Sequence, residues 1–340
     1  MRHRTIRGLF KSHLYIGTAL ALPLLLIAST GILLGFYDEL RYAAAPYRLA
    51  MPVYHGLDAP VLAERIQAAY PTHHLERLYL PTAPERTARV RLSGYGQSLL
   101  VFLHPGTGAI LAIQDAADQD WLEFLYNLHR GKPLELAGQI IASASGVFVL
   151  VLWILGMWLW WRRPARHRPW HGRSLFIKAI STHRWLGLML GGIITCLTVV
   201  GALLNFAGPL MQWLDPPPIL SSHEPGSQPL PLRHIVSAAT DAYRQVPLER
   251  IYFPAQPSHL FQLRFQDGSW VYLEPDSGKI VKIKIPFSHW TRLLYPLHSG
   301  RILGDHGSWL IALCGVVLLL LSGSGLMHWR RQIFSSKSKP

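Results

Sequence analysis

Four stretches of this 340-residue chain are apolar for long enough to cross a bilayer as helix, and no other feature limits the fold as much. A hydrocarbon core of ~30 Å takes roughly 20 apolar residues. The stretches run from Leu14 to Tyr37, Ile140 to Trp161, Trp185 to Phe206 and Trp309 to Trp329. Lipid offers no partner to a backbone N–H or C=O, so each stretch is expected to span as helix. Arg2, Arg4, Arg7 and Lys11 precede the first stretch as they would a signal peptide. Its apolar core exceeds the ~7–15 residues of a signal, so it is read as a retained span.

The charge then fixes an orientation. Of 33 Lys and Arg, 15 lie in the N-terminal tail, the loop from Arg162 to Arg184 and the tail from Arg330, which hold no Asp or Glu. Residues 38–139 and 207–308 together hold 18 Lys and Arg against 19 Asp and Glu. The net +14 therefore belongs to one side of a membrane. The positive-inside rule expects both termini and the middle loop in the cytoplasm and the two long loops outside. Membrane lipid accounts for the basic residues, and nucleic acid is not needed as a partner. Cys196 and Cys314 both sit in apolar runs, which leaves no disulfide framework and no cysteine zinc site.

The chain reads as one unit used twice. His13-Leu-Tyr-Ile-Gly17 matches His183-Arg-Trp-Leu-Gly187 at an offset of 170 residues, and Leu75-Glu-Arg-Leu-Tyr-Leu-Pro81 matches Leu248-Glu-Arg-Ile-Tyr-Phe-Pro254 at 173. His104-Pro-Gly-Thr-Gly108 matches Glu274-Pro-Asp-Ser-Gly278, and Leu128-His-Arg-Gly131 matches Leu297-His-Ser-Gly300. Each half is helix in, external domain, helix back, so the halves share one orientation about an axis along the membrane normal. Both external segments show an amphipathic helix (60–70 and 232–244) followed by four alternating runs (75–80, 87–93, 98–103, 109–113; 248–253, 259–266, 269–273, 279–283). The expected fold is a mainly α membrane protein, a four-transmembrane-helix bundle from an internal duplication with two small external α+β lobes. Its segments are 1–37 (tail and first span), 38–139 (first lobe), 140–206 (second and third spans around the basic loop), 207–308 (second lobe) and 309–340 (fourth span and tail).

Seventeen histidines are the chemical question. A histidine at membrane depth is costly and marks a site, although one at the interface also serves as an anchor. Repetition favours a site for His13/His183 and His129/His298, which persist in both halves while most neighbours differ. Gly17 and Gly187 lie four residues beyond His13 and His183 on the same helix face. A flat macrocycle ligated by the histidine has bare backbone to lie against there. In an up-down bundle the first and third helices are diagonal, as are the second and fourth, so each pair faces itself across the axis. A porphyrin iron takes two axial imidazoles, so the reading is two b-type haems, one near each membrane face. No Cys-x-x-Cys-His is present for covalent attachment. His328, at the cytoplasmic end of the fourth span, is an alternative ligand for the inner haem. His55, His73, His74, His104, His259 and His289 are expected on the lobes, His306 near the outer haem or a lobe, and His167 and His171 in the basic loop. Trp153, Trp158, Trp160 and Trp161 read as an interface belt, and Gly187-x-x-x-Gly191 as a close helix contact.

The His-x-x-x-Gly openings, the paired Leu-His-x-Gly, the ending Gly325-Leu-Met-His-Trp-Arg-Arg331 and the α+β lobes resemble the PepSY-associated transmembrane family, over nearly the whole chain. Within it the chain is similar to bacterial inner-membrane ferric-siderophore reductases of the FoxB type. That resemblance implies PepSY-like periplasmic lobes, two haems in the bundle and His13, His183, His129 and His298 as iron ligands. It also implies a haem-dependent ferric reductase activity on a ferric-siderophore substrate, with Fe(II) released. The chain departs from the family pattern at Val200-Gly201, where a Thr-Gly like Thr30-Gly31 is typical. No Gly-x-Gly-x-x-Gly nucleotide site is present, so a separate cytoplasmic electron donor is implied. The alternative is a PepSY-type membrane regulator or protease-binding protein without redox activity.

Overall fold

The computed structural model describes residues 2–118, 120–162, 174–220, 229–244, 246–256, 258–286 and 289–336. His167 and His171 lie outside these described residues. The first half runs α1 (Arg2–Ala19), α2 (Ala21–Leu34), α3 (Tyr37–Ala44), α4 (Ala59–Ala69), β1 (His74–Tyr79), β2 (Ala88–Gly94), β3 (Gln97–Leu103), β4 (Ile110–Asp115), α5 (Trp121–His129) and α6 (Glu135–Arg162). The same order recurs as α7 (Leu175–Met189), α8 (Gly191–Asn205), α9 (Ala207–Leu214), α10 (Leu232–Ala242), β5 (Leu248–Tyr252), β6 (Phe261–Phe265), β7 (Trp270–Leu273), β8 (Ile280–Lys284), α11 (Thr291–His298) and α12 (Gly307–Ser336).

Two helices, α6 and α12, are long and apolar enough to cross a membrane, and there are up to four spans if each bent pair counts as one. The expected continuous first and third spans are instead broken, by 57° between α1 and α2 and by 68° between α7 and α8. The breaks fall at Leu20 and Leu190, equivalent places with different causes. Pro23 has no N–H to give the Ala19 carbonyl and its ring crowds that carbonyl, which ends α1. In the second half Ile193 stands at the equivalent place, and the bend sits instead at Gly191-Gly192. A Cβ on Gly191 would come within 2.5 Å of Trp153 Cδ1, so the indole occupies the bend. Hydropathy averages over both breaks, which is why the sequence reads each as one span.

The straight helices carry the packing. α12 lies against α2, α1 and α7, and α6 lies against α8, α1 and α7, so each bent pair touches both straight helices. Close approach is made by glycine: a Cβ on Gly146 would meet the Thr198 carbonyl at 2.5 Å, and one on Gly315 would meet Ile32 Cγ1 at 2.5 Å. Leu24, Ala28, Val149, Ile194, Cys314, Val317 and Leu318 fill the interior.

Asp38–Asp120 and Gln212–Arg292 form a second compact unit, built on one eight-stranded antiparallel sheet of order β4-β3-β2-β1-β5-β6-β7-β8. The two expected lobes are therefore halves of a single sheet, joined where β1 pairs with β5 through Leu78↔Ile251. Each lobe alone would leave that strand an open edge with unpaired N–H and C=O groups, and pairing removes both edges. Helices α4 and α10 cover one face, over a core that includes Leu62, Ile66, Leu78, Val90, Ile235, Ile251, Leu263 and Phe265. Helix α5 and most of α11 group with the long helices.

Candidate functional site

Helices α5 and α11 each end on a histidine, and the Leu-His-x-Gly motif explains how. Gly131 and Gly300 both take φ 76°, the left-handed conformation that ends a helix and favours glycine. Each also touches the start of the next helix: a Cβ would lie 2.2 Å from the Gly138 carbonyl at Gly131 and 2.7 Å from the Gly307 carbonyl at Gly300. The reversal turns His129 and His298 into the helical unit, where each ring rests on a glycine. His129 lies against Gly31 of α2, and His298 against Gly201 of α8.

The two rings face each other with centroids 6.1 Å apart. His129 Nδ1 lies 2.9 Å from the Thr30 hydroxyl, which itself donates to the Leu26 carbonyl at 2.7 Å and so accepts from the ring N–H. Val200 offers no hydroxyl at the equivalent place, and His298 Nδ1 donates directly to the Leu197 carbonyl at 2.8 Å. Asn205 steadies this end of the unit by accepting from Arg130 Nε at 3.1 Å and donating to the Arg130 carbonyl at 3.1 Å.

The other repeated pair also meets: His13 and His183 have centroids 6.1 Å apart. His183 Nδ1 lies 2.9 Å from the Ser324 hydroxyl and 3.1 Å from the Leu321 carbonyl. His13 Nδ1 is buried beside Gly156 without a hydrogen bond of good geometry, the Leu152 carbonyl being the acceptor on that side. Both histidines line a cavity of about 330 Å³ together with Gly17, Gly187, Trp153 and His328. The nearest atom to a Cβ on Gly17 or Gly187 is a single leucine methyl 3.8 Å away, so both glycines leave room.

His328 is held differently. Its ring stacks on Phe176 at 5.5 Å and meets the edge of Phe10 at 5.5 Å, and its Nε2 accepts from the Gln332 amide at 3.3 Å. The structure thus pairs His13 with His183 and leaves His328 at the cavity wall. Trp153 is not part of an interface belt, because it reaches into the α7/α8 bend and lines the cavity with Trp160. Trp158 and Trp161 are exposed, as a belt requires. Among the lobe histidines, His104 Nδ1 accepts from the backbone N–H groups of Gly106 and Thr107, and His289 bonds Thr291; both are turn contacts.

The pairs fit a shared metal. Two imidazoles bound on opposite sides of one ion at ~2 Å place their ring centroids ~6 Å apart. Three of the four rings use Nδ1 for a carbonyl or hydroxyl of a neighbouring helix, which holds the proton there and leaves Nε2 as the donor. Among the described residues no group of three or more His, Cys, Asp and Glu gathers at either place. An ion held by either pair finds no further ligand of these types among the described residues. Gly156 and Ser324 escape a sequence reading, and Gly31 and Gly201 stand in it only as a pattern position, since their part is to seat or hydrogen-bond a ring that comes from another helix.

These helices and half-buried histidine pairs define a multi-pass membrane protein with two candidate ligand positions in its helical unit. Its sequence matches the PepSY-associated TM region twice, over residues 10–178 and 180–339, and the chain belongs to that family. No protein with a curated description matches it.

Proposed function

We propose that this protein is a transmembrane oxidoreductase of the bacterial inner membrane. It holds two non-covalent b-type haems, one between His13 and His183 and one between His129 and His298. The observation that carries this reading is the pair of 6.1 Å imidazole contacts, each at the spacing of a shared ion. Haem would supply the remaining nitrogen ligands and one-electron exchange between Fe(III) and Fe(II). The repeated order of elements and the two family matches support an internal duplication and a four-helix bundle, with each pair across its pseudo-twofold axis.

The chain's own residues present and orient the imidazoles, and the apolar interior excludes water. Gly17 lines one site and Gly31 the other, at most ~21 Å apart along a helix. The basic residues at the termini and middle loop support an orientation with His13 and His183 near the cytoplasm. A separate cytoplasmic donor gives the electron, and the acceptor is a periplasmic ferric siderophore, whose Fe(III) takes one electron to become Fe(II). Hard oxygen donors hold the less charged ion more weakly, so reduction releases the iron.

A reduced-minus-oxidised spectrum with haem quantitation on the purified protein tests this. Two bis-histidine haems are expected, and a protein without such a spectrum ends the proposal.

One observation favours the non-redox reading as a PepSY-type regulator or protease-binding protein. Strands β4 and β8 are the free edges of the sheet, with Ile113 and Ile283 about half exposed at 52% and 40%. Such edges accept an extended peptide. Full activity in a haem-free His129→Ala/His298→Ala double variant is the result that selects it.

A further inference from the structure

The sheet face turned away from α4 and α10 carries a regular array of cations and rings. Strand register places Arg89, Tyr79, Arg250, Arg264, Trp270 and Lys284 in one row across six strands. A second row sets Arg91 opposite Arg77 and Arg77 opposite Tyr252. Guanidinium groups lie over rings throughout: Arg77 over Tyr252 at 5.0 Å, Arg250 over Tyr79 at 4.4 Å, Arg264 over Trp270 at 5.7 Å.

This arrangement costs stability. Like charges directly opposite each other on a sheet repel, and here Arg91 faces Arg77 and Arg250 faces Arg264. Two carboxylates relieve them: Glu76 bonds Arg91 at 3.0 Å, and Glu249 reaches Arg250 at 3.0 Å and Arg264 at 3.4 Å. Among the described residues five arginines and Lys284 on this face thus meet three acids, Glu76, Glu249 and Asp215. Burial, then the nearby Arg41 charge, lower the Arg89 pKa to about 10. The face is reachable at Arg91 and Arg264, about a third exposed at 35% and 33%, and closed at Lys284. The loops as a whole are nearly neutral, so this charge is segregated by the fold and not by composition.

We infer that this face binds an anionic ferric chelate with aromatic donors, of the tris-catecholate class, which rests on the reductase reading above for its role as substrate. Guanidinium forks match catecholate oxygens, and the guanidinium groups seated over Tyr79, Tyr252 and Trp270 are held in place for them. A neutral tris-hydroxamate lacks the matching charge.

Gallium(III) complexes of hexadentate tris-catecholate and tris-hydroxamate chelators, which accept no electron, test this by equilibrium dialysis against the detergent-solubilised full-length protein. The expected result is at least tenfold tighter binding of the catecholate, weakened by salt. An Arg77→Gln/Arg264→Gln variant should lose at least tenfold of that affinity while keeping its melting temperature and haem content, and Arg77→Lys/Arg264→Lys should recover part of it. Equal affinity for the two chelates, or unchanged affinity in the folded double Gln variant, overturns the inference. Because gallium is not reduced, a haem-free protein that still prefers the catecholate would end the redox reading and leave this one standing.

Discussion

The Nδ1 of His129 lies 2.9 Å from the hydroxyl of Thr30, and the second half reaches the same end without that hydroxyl, because His298 donates straight to the Leu197 carbonyl. The two histidines of one pair are therefore oriented by different chemistry. Thr30 passes on the bond, since its hydroxyl donates to carbonyls of its own helix. A carbonyl accepting from the imidazole N–H is the stiffer partner, and a hydroxyl can rotate.

Thr30→Val tests how much the hydroxyl does. It strands a buried ring N–H, a loss of ~1–3 kcal/mol if nothing replaces the bond, and removal of such outer-shell partners typically weakens metal binding ~10–100-fold. The expected outcome is a fully folded protein whose His129/His298 haem is lost on dilution while the His13/His183 haem stays. Haem titration of the variant reads this directly. Unchanged retention of both would mean that His129 finds the Ile27 carbonyl as His298 finds Leu197.

The glycines separate folding from cofactor binding. Mid-helix Gly→Ala normally stabilises by ~1 kcal/mol, and at Gly17 the nearest atom to the new methyl is 3.8 Å away. Gly17→Ala should therefore melt at the same temperature or higher without haem, yet bind less haem at the His13/His183 site. At Gly201 the methyl would lie 2.6 Å from His298 Cε1, so Gly201→Ala should displace that ring and cost the other haem. Normal haem content in Gly17→Ala would mean that the cavity beside it is not the haem pocket.

Much of the site is legible in the sequence because it is written twice. Repetition marked out His13/His183 and His129/His298, and the structure brings both pairs together. What escaped depends on contacts between segments far apart in the chain. The alternating pattern of β1 is the same for an edge or a central strand, so nothing local announces its pairing with β5. The α7/α8 bend needs Trp153 of α6 as much as Gly191, and Trp153 alone reads as one more interfacial aromatic. The loss of Thr at Val200 looks like a defect until the Leu197 carbonyl is seen beside His298.

His328 supplies a sharp test of the inner pair. Its ring packs on Phe176 and Phe10 and its Nε2 accepts from the Gln332 amide, while its buried Nδ1, like that of His13, makes no hydrogen bond of good geometry among the described residues. His328→Ala should keep two haems, with a modest spectral change, whereas His13→Ala should keep one. The opposite pattern in pyridine-haemochrome quantitation would transfer the ligand role from His13 to His328.

The sheet unit has its own acid sensitivity, set by Asp215. Burial pushes this carboxyl up, and the hydrogen bond and charge of Lys284, then Arg292, more than reverse it, leaving the pKa below its ordinary value. Lys284 is also lowered, by its burial first, so the ammonium is uncomfortable without its partner. The ions are 2.7 Å apart at 5% and 14% exposure, and Lys284 also donates to the carbonyls of Asp215 and Pro216. A depressed carboxyl stabilises above its unfolded pKa of ~4, and that contribution fades as pH falls through the lower folded value. Asp215→Asn leaves Lys284 buried with a neutral partner, and breaking a buried pair costs ~3–5 kcal/mol. The expected outcome is a sheet unit that unfolds at clearly lower temperature at pH 7, with the gap to wild type closing below pH 4. Melting curves of the two proteins at pH 7 and pH 3 decide it, and a gap that is the same at both would remove Asp215 as the source of the acid sensitivity.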